Sequence, residues 1–340
     1  MAKKPSMDDV ARLAGVSRTT VSYVLNNVTS MHISEDTRQR VLTAARDLDY
    51  HPNASARSLA RRQTLTLGLV LCLSPDRLSA DAFLLEVIYG ITSVTVPAGF
   101  RLLVETVEDQ TNPNSYIHLV REAHINGMIL AGTRTDDPQL PWLSASDFPV
   151  VLWGKIPECD LPFVDVDNVS AARRAVEHLI ALGHRRIACI TNASLRHPES
   201  VDRLQGYRAA LHSHNLPFDE ALVRYGDYQE RSGFQAMRSL LELPERPSAV
   251  FVASDMVALG AVRAAISAGL RVPNDLALVG FDDVQLAEYV VPSLTTIRVP
   301  AREIGAASAR MLLEIIQTGQ RPPSALLETE LVIRESCGAQ

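Results

Sequence analysis

The chain has 340 residues, 46% of them hydrophobic and 21% charged, with a formal net charge of −6. That length suggests two or three folding units, and the composition excludes a disordered or collagen-like chain. Charge is unevenly spread: residues 1–62 carry ten Lys/Arg against six Asp/Glu, and the remainder 23 against 33, so the basic end is the candidate partner for a polyanion.

Three short helical patterns come first. Ser6 can cap a helix over Met7–Ala14, with Asp8 and Asp9 at its positive end, Val10, Leu13 and Ala14 on one face and Gly15 ending it. Ser17 caps a second helix in which Val21, Val24 and Leu25 share a face, while Arg18, Thr19, Ser22 and Tyr23 lie elsewhere. Two helices joined by a Gly-Val-Ser turn predict a helix-turn-helix. After a loop from Asn26 to Ile33, Ser34 opens a third helix with Val41, Leu42, Ala45 and Leu48 inward. Residues 51–63 are small, basic and helix-capable without an apolar face, as a linker that orders on contact would be.

From Leu65 onward apolar runs alternate with helical spacing. Strands are predicted at 65–73, 102–107, 128–131, 150–153, 186–190, 249–253, 277–281 and 295–299, and helices at 82–94, 115–124, 170–182, 198–212, 232–241, 256–268 and 302–316. Such alternation implies parallel sheets covered by helices, in two lobes, with ligands at the carboxyl ends of strands. The cysteines Cys72, Cys159, Cys189 and Cys337 form no CxxC pair and complete no zinc spacing, so buried reduced thiols are expected, with no metal and no cofactor. No apolar run suits a secretory signal or a membrane span, which places the chain in the cytoplasm.

Residues 9–26, DVARLAGVSRTTVSYVLN, resemble the DNA-reading segment of the lactose/galactose repressor (LacI/GalR) family. The similarity continues through Gly183-His184-Arg185-Arg186-Ile187-Ala188, Arg203-Leu204-Gln205-Gly206-Tyr207, Val279-Gly280-Phe281-Asp282-Asp283 and Pro292-Ser293-Leu294-Thr295-Thr296-Ile297. The resemblance implies an all-α helix-turn-helix headpiece (1–50), a hinge helix or linker (51–63), and an α/β two-lobed periplasmic-binding-protein-like core (64–340) for effector binding and dimerisation. One lobe would comprise about 64–164 and 293–325, the other about 165–292 and 326–340, with crossings near 165, 292 and 325. It further implies a homodimer on a palindromic operator in double-stranded DNA.

In that arrangement the second helix enters the major groove, where Arg18 can pair bidentately with guanine O6 and N7. Ser17, Thr19, Thr20, Ser22, Tyr23 and Asn26 would contact adjacent bases or phosphates, and Ser6, Ser34 and Thr37 the backbone. Capping alone also explains the serines and threonines, and Tyr23 either packs on the headpiece or meets a base. Relatives often carry Arg at the Tyr23 position. Asn53, Ala56 and Leu59 match hinge positions that sit at the minor groove, with Leu59 as the kinking wedge.

For the effector, Asp282 and Arg203 are expected to pair with sugar hydroxyls, with Phe83, Trp153 and Tyr228 as apolar or stacking walls and Ser254 and Asp255 nearby. The alternatives are a structural Arg–Asp salt bridge and a Trp153 that fills the core. Gly154 and Ser254 stand where many relatives carry Asp and Asn, which makes room for a bulkier ligand such as a glycoside or disaccharide. A repressor released by a carbohydrate is the expected function; an activator, or a co-repressed regulator with a non-sugar ligand, shares the same sequence features. An enzyme is disfavoured because no phosphate-cradling or metalloprotease motif occurs and Asp282-Asp283 has no nearby histidine. A transport-type binding protein would leave residues 1–62 without a purpose.

Overall fold

The computed structural model describes residues 5–25, 31, 33–50, 64–73, 78, 81–107, 116–122 and 124–339. The chain divides into two units, Met1–Thr64 and Leu65–Gln340. The expected hinge residues Asn53, Ala56 and Leu59, and Asn26, lie outside the described residues.

The first unit holds α1 (Met7–Ala14), α2 (Arg18–Leu25) and α3 (Glu35–Asp47). Its core is Val10, Ala11, Ala14, Val21, Val24, Val41, Ala44 and Ala45. Leu13, predicted on the same face as Val10, is instead 56% exposed. The three helices close around the arc of α1 that carries Ala11, and Leu13 falls outside it. Leu42 and Leu48 pack at the edge of this core rather than inside it.

The second unit contains two six-stranded sheets. The first includes β1 (Thr66–Leu71), β2 (Arg101–Thr106), β3 (Gly127–Ala131), β4 (Val150–Trp153) and β5 (Phe163–Val166). The second includes β6 (Ile187–Thr191), β7 (Val223–Tyr225), β8 (Ala249–Val252), β9 (Ala277–Asp282) and β10 (Thr296–Arg298). β11 (Ala325–Leu327) completes the first sheet and β12 (Glu330–Val332) the second. Strand orders are β11-β5-β4-β3-β1-β2 and β12-β10-β9-β8-β6-β7. Among the described residues every pairing is parallel except β10 with β12.

Among the helices, α4 (Ala82–Thr95), α5 (Ile117–Arg121), α6 (Leu140–Ala145) and α12 (Ala301–Thr318) belong to the first lobe. The second lobe has α7 (Asn168–Ala181), α8 (Pro198–Ser213), α9 (Glu230–Leu241), α10 (Asp255–Ser267) and α11 (Leu286–Tyr289). The central strands β3 and β8 are buried along their whole length because helices cover both faces of a parallel sheet, which is why they read as unbroken apolar runs.

The chain crosses between lobes after β5, after β10 and between β11 and β12. The second crossing was expected near residue 292 but falls at Val299–Pro300, because Thr296–Arg298 pairs with Gly280–Asp282 in the second sheet. Four strands went unpredicted (β5, β7, β11 and β12), as did α6 and α11. The predicted helix at 115–124 is confined to Ile117–Arg121. Cys72, Cys189 and Cys337 are buried thiols outside any disulfide, whereas Cys159 is only half-buried.

Candidate functional site

In the headpiece, local hydrogen bonds set the helix starts. Ser6 Oγ accepts from Asp9 N at 3.3 Å, and Asp9 Oδ2 accepts from Ser6 N at 2.9 Å, a reciprocal capping box. Gly15 takes φ 66°, a left-handed turn that ends α1 and lets α2 start three residues later, at Arg18. Ser17 Oγ accepts from Thr20 N at 3.1 Å and lies 2.9 Å from Thr20 Oγ1. Ser34 Oγ accepts from Thr37 N at 3.3 Å and donates to Thr37 Oγ1 at 2.9 Å. The capping roles of Ser6, Ser17 and Ser34 are thus realised, and a helix N-terminus capped this way still presents N–H groups to a phosphate.

Burying Val21 and Val24 turns the opposite face of α2 outward. Ser17, Arg18 and Thr19 are exposed there, while Thr20, Ser22 and Tyr23 are half-buried. The Arg18 side chain is 68% exposed, and its Nη1 lies 3.8 Å from Asp8 Oδ2 on α1. It is a projecting cation with a nearby carboxylate and little packing to hold it back.

In the core, a cavity opens between the two lobes at the carboxyl ends of their strands. It is lined by Phe83, Trp153, Arg203, Tyr228, Ser254 and Asp282, and by Asp81, Lys155, Asp165, His197 and Glu199. Its empty space, open solvent at the mouth included, is about 1110 Å³. On the first lobe Phe83 and Trp153 stack, ring centroids 6.0 Å apart and planes inclined 29°. Gly154, beside Trp153, takes φ 106°, and a Cβ there would meet nothing within 4 Å, so open space adjoins the indole.

On the second lobe Arg203 is buried. Its Nε donates to Asn168 Oδ1 at 2.9 Å, its Nη1 donates to the Ala253 carbonyl at 2.7 Å, and its guanidinium lies over the Phe281 ring at 3.8 Å. Nη1 also stands 3.6 Å from Asp282 Oδ1. The Arg–Asp pair and the cavity wall are therefore one feature: a structural pairing leaves both residues lining the cavity. Burial raises the Asp282 carboxyl well above the usual range; Arg203 opposes the shift and Asp81 adds to it. Tyr228, at φ 55°, donates its hydroxyl to Glu199 and meets His197 edge-on at 5.9 Å.

Asp255 departs from expectation. It is fully buried beneath the cavity and does not line it. Its carboxylate accepts from Thr296 Oγ1 at 2.7 Å and from Val284 N at 3.0 Å, tying α10 to β10 and to the turn after β9. Gly280 makes this possible: a Cβ there would stand 2.2 Å from Asp255 Oδ1. Burial and the neighbouring Asp282 raise the Asp255 carboxyl strongly.

Among the lining residues not foreseen are five with acidic or basic side chains, Asp81, Lys155, Asp165, His197 and Glu199. Asp81 accepts from Phe83 N and Leu84 N as the N-cap of α4, and an Asp before an apolar helix could have shown that cap. Asp165 accepts from Lys155 N at 2.8 Å, Val166 N at 2.7 Å and Asn168 Nδ2 at 3.1 Å, and burial pushes its carboxyl up to about 6. It sits on β5, and recognising that strand would have placed Asp165 at a cleft. Nothing in the local sequence marks Lys155, His197 or Glu199.

Comparison with known proteins agrees with both halves. Residues 6–53 match the family of bacterial regulatory proteins, lacI family, and residues 176–337 match the periplasmic binding protein-like domain. The HTH-type transcriptional regulator CelR of Thermobifida fusca is 38% identical over 339 residues, covering 98% of both chains. A solved CelR–cellobiose complex is 36% identical with a TM-score of 0.76, covering 98% of this chain and 99% of that one. The lac repressor dimer bound to operator and the anti-inducer ONPF is 30% identical with a TM-score of 0.88, covering 99% and 100%. A capped helix-turn-helix with an outward α2, a two-lobed core with a cleft, and full-length similarity to regulators lead to one conclusion: the chain belongs to the LacI family of bacterial regulatory proteins and is a DNA-binding transcriptional regulator.

Proposed function

We propose that the chain is a cytoplasmic repressor that binds a palindromic operator as a homodimer and releases it when a sugar or glycoside occupies the interlobe cleft. The observation that carries this reading is the cleft itself, where the Asp282–Arg203 pair faces the Phe83–Trp153 stack across one cavity. A carboxylate and a guanidinium suit adjacent hydroxyls, and an aromatic face suits the apolar side of a pyranose ring. The cellobiose complex of CelR supports a carbohydrate of this kind. The cleft is read as a binding site and not a catalytic one, and ligand-driven lobe closure is the switching step.

At the DNA, α2 lies in the major groove with Arg18 on a guanine and Thr19, Ser22 and Tyr23 on neighbouring groups. The N-terminal ends of α1, α2 and α3, with Ser6, Ser17, Thr20, Ser34 and Thr37, hold phosphates. Asn26, Asn53, Ala56 and Leu59 complete the contact set on the strength of the sequence.

Selecting sites from a random DNA pool with the purified protein, with and without a sugar panel, tests the reading. A palindrome enriched without ligand and lost with one sugar is expected. Recovery of no preferred sequence at low salt, with every ligand, would overturn it.

A further inference from the structure

The cleft is lined by more carboxyl groups than cationic ones among the described residues. Four carboxylates line it among the described residues: Asp81 and Asp165 from the first lobe, Glu199 and Asp282 from the second. Two cations line it among the described residues, Lys155 and Arg203. Lys155 is exposed. Arg203 is buried, but two of its N–H groups are given to Asn168 and Ala253, one face lies on Phe281, and Asp282 already stands opposite its charge.

We propose that the effector is an uncharged or amino-bearing glycoside and that the cleft excludes sugar phosphates and uronates. The proposal rests on the reading of this cavity as a sugar site and adds the charge class of its ligand. The mechanism is electrostatic. An anion entering a cavity walled by protein meets Asp81, Glu199 and Asp282 across a medium that screens far less than water, and the guanidinium that could compensate is already paired. A hydroxyl or ammonium donor instead finds acceptors on both lobes. The aromatic stack on the first lobe supplies ring affinity independent of charge, so skeleton and charge are read by different residues. Because Asp81 and Glu199 come from opposite lobes, a donor-rich ligand also offsets the repulsion between carboxylates that closure brings together.

The test uses the full-length protein with matched probes on one skeleton: cellobiose, its uronic-acid counterpart and its 2-amino counterpart, then the lactose series. Binding is read by calorimetry and thermal shift at pH 7.5, with Asp81→Asn and Glu199→Gln beside the wild type. Both substitutions retain a side-chain oxygen for the hydrogen bonds seen, to Phe83 N and Leu84 N and from the Tyr228 hydroxyl. Operator binding of each variant reports that it is folded. The neutral and amino members of at least one series should bind, the anionic member at least tenfold more weakly, and each variant should narrow that gap. An anionic probe that binds as tightly as its neutral counterpart, or a gap unchanged in both variants, overturns the charge assignment and leaves the sugar reading standing. No binding by any member of either series counts against both.

Discussion

Replacing Arg203 with alanine separates what the Arg203–Asp282 pair does for the fold from what it does for a ligand. The substitution leaves the Asn168 side-chain oxygen and the Ala253 carbonyl without their donor and strands the Asp282 carboxylate in a buried site. A buried acceptor left unmet costs about 1–3 kcal/mol, and breaking a buried ion pair by removing one partner costs about 3–5 kcal/mol. These overlap, because the stranded carboxyl can take up a proton: burial already holds its affinity for protons well above normal. Destabilisation of the core by about 3–5 kcal/mol is expected, a fall of roughly 6–10 °C in its melting temperature at about 2 °C per kcal/mol. The opposite substitution, Asp282→Asn, removes a charge that the site already disfavours and should cost about 1 kcal/mol or less. Both variants should lose effector binding by more than tenfold. Urea unfolding followed by circular dichroism measures the two stabilities, and calorimetry the binding. If Arg203→Ala unfolds within 1 kcal/mol of the wild type, or if Asp282→Asn is the more damaging of the two, the account of this pair is wrong.

Three further outcomes follow from the same geometry. Arg18→Ala should weaken operator binding by about 1–3 kcal/mol and flatten base preference at one position of each half-site, with stability unchanged; competition gel shifts against single-base operator variants measure it. Trp153→Ala should reduce affinity for a two-ring sugar about tenfold while leaving operator affinity without sugar unaltered, as read by calorimetry and fluorescence anisotropy. Asp165 has its folded-state pKa raised to about 6, so burying its charge destabilises the fold progressively above the unfolded value near 4 and fully above about 6. On this linkage the unfolding free energy of Asp165→Asn, relative to the wild type, should rise by about 1 kcal/mol between pH 5 and pH 8; a constant difference would contradict the shift.

The legibility of the fold varied with how unbroken an apolar run each element carries. Val150–Trp153 was expected with the bounds it has, and β3, β6, β8 and β9 within one residue at each end, because central strands of a parallel sheet are continuous apolar runs. β7, β11 and β12 have three residues each, too few for any period to show, and β5 hides Asp165 inside a four-residue run. The same shortness misplaced the second crossing: nothing within Thr296–Arg298 states which sheet it joins.

At the site, Arg203 and Asp282 were legible because each lies in a motif of the family, and the structure brings them to 3.6 Å. Asp255 shows the limit of that route. It follows a strand end as a ligand residue should, yet the missing Cβ of Gly280 opens a place for its carboxylate beneath the cavity. Glu199 shows the converse, for its place in the cavity comes from the approach of α8 to Tyr228, more than twenty residues away in sequence. Leu13 is a third case: helical spacing allowed it inward, and only the packing of three helices decides which arc of α1 is covered.

Reciprocity between the two ligands tests the central claim most directly. The selected operator is titrated with protein in the absence and presence of saturating effector, and the effector is titrated into free and operator-bound protein. If the cleft controls the headpiece, the two ratios of Kd must be equal, and they should exceed tenfold. Ratios of one in both directions, with each ligand bound tightly, would mean that the cleft and the DNA-reading face act independently.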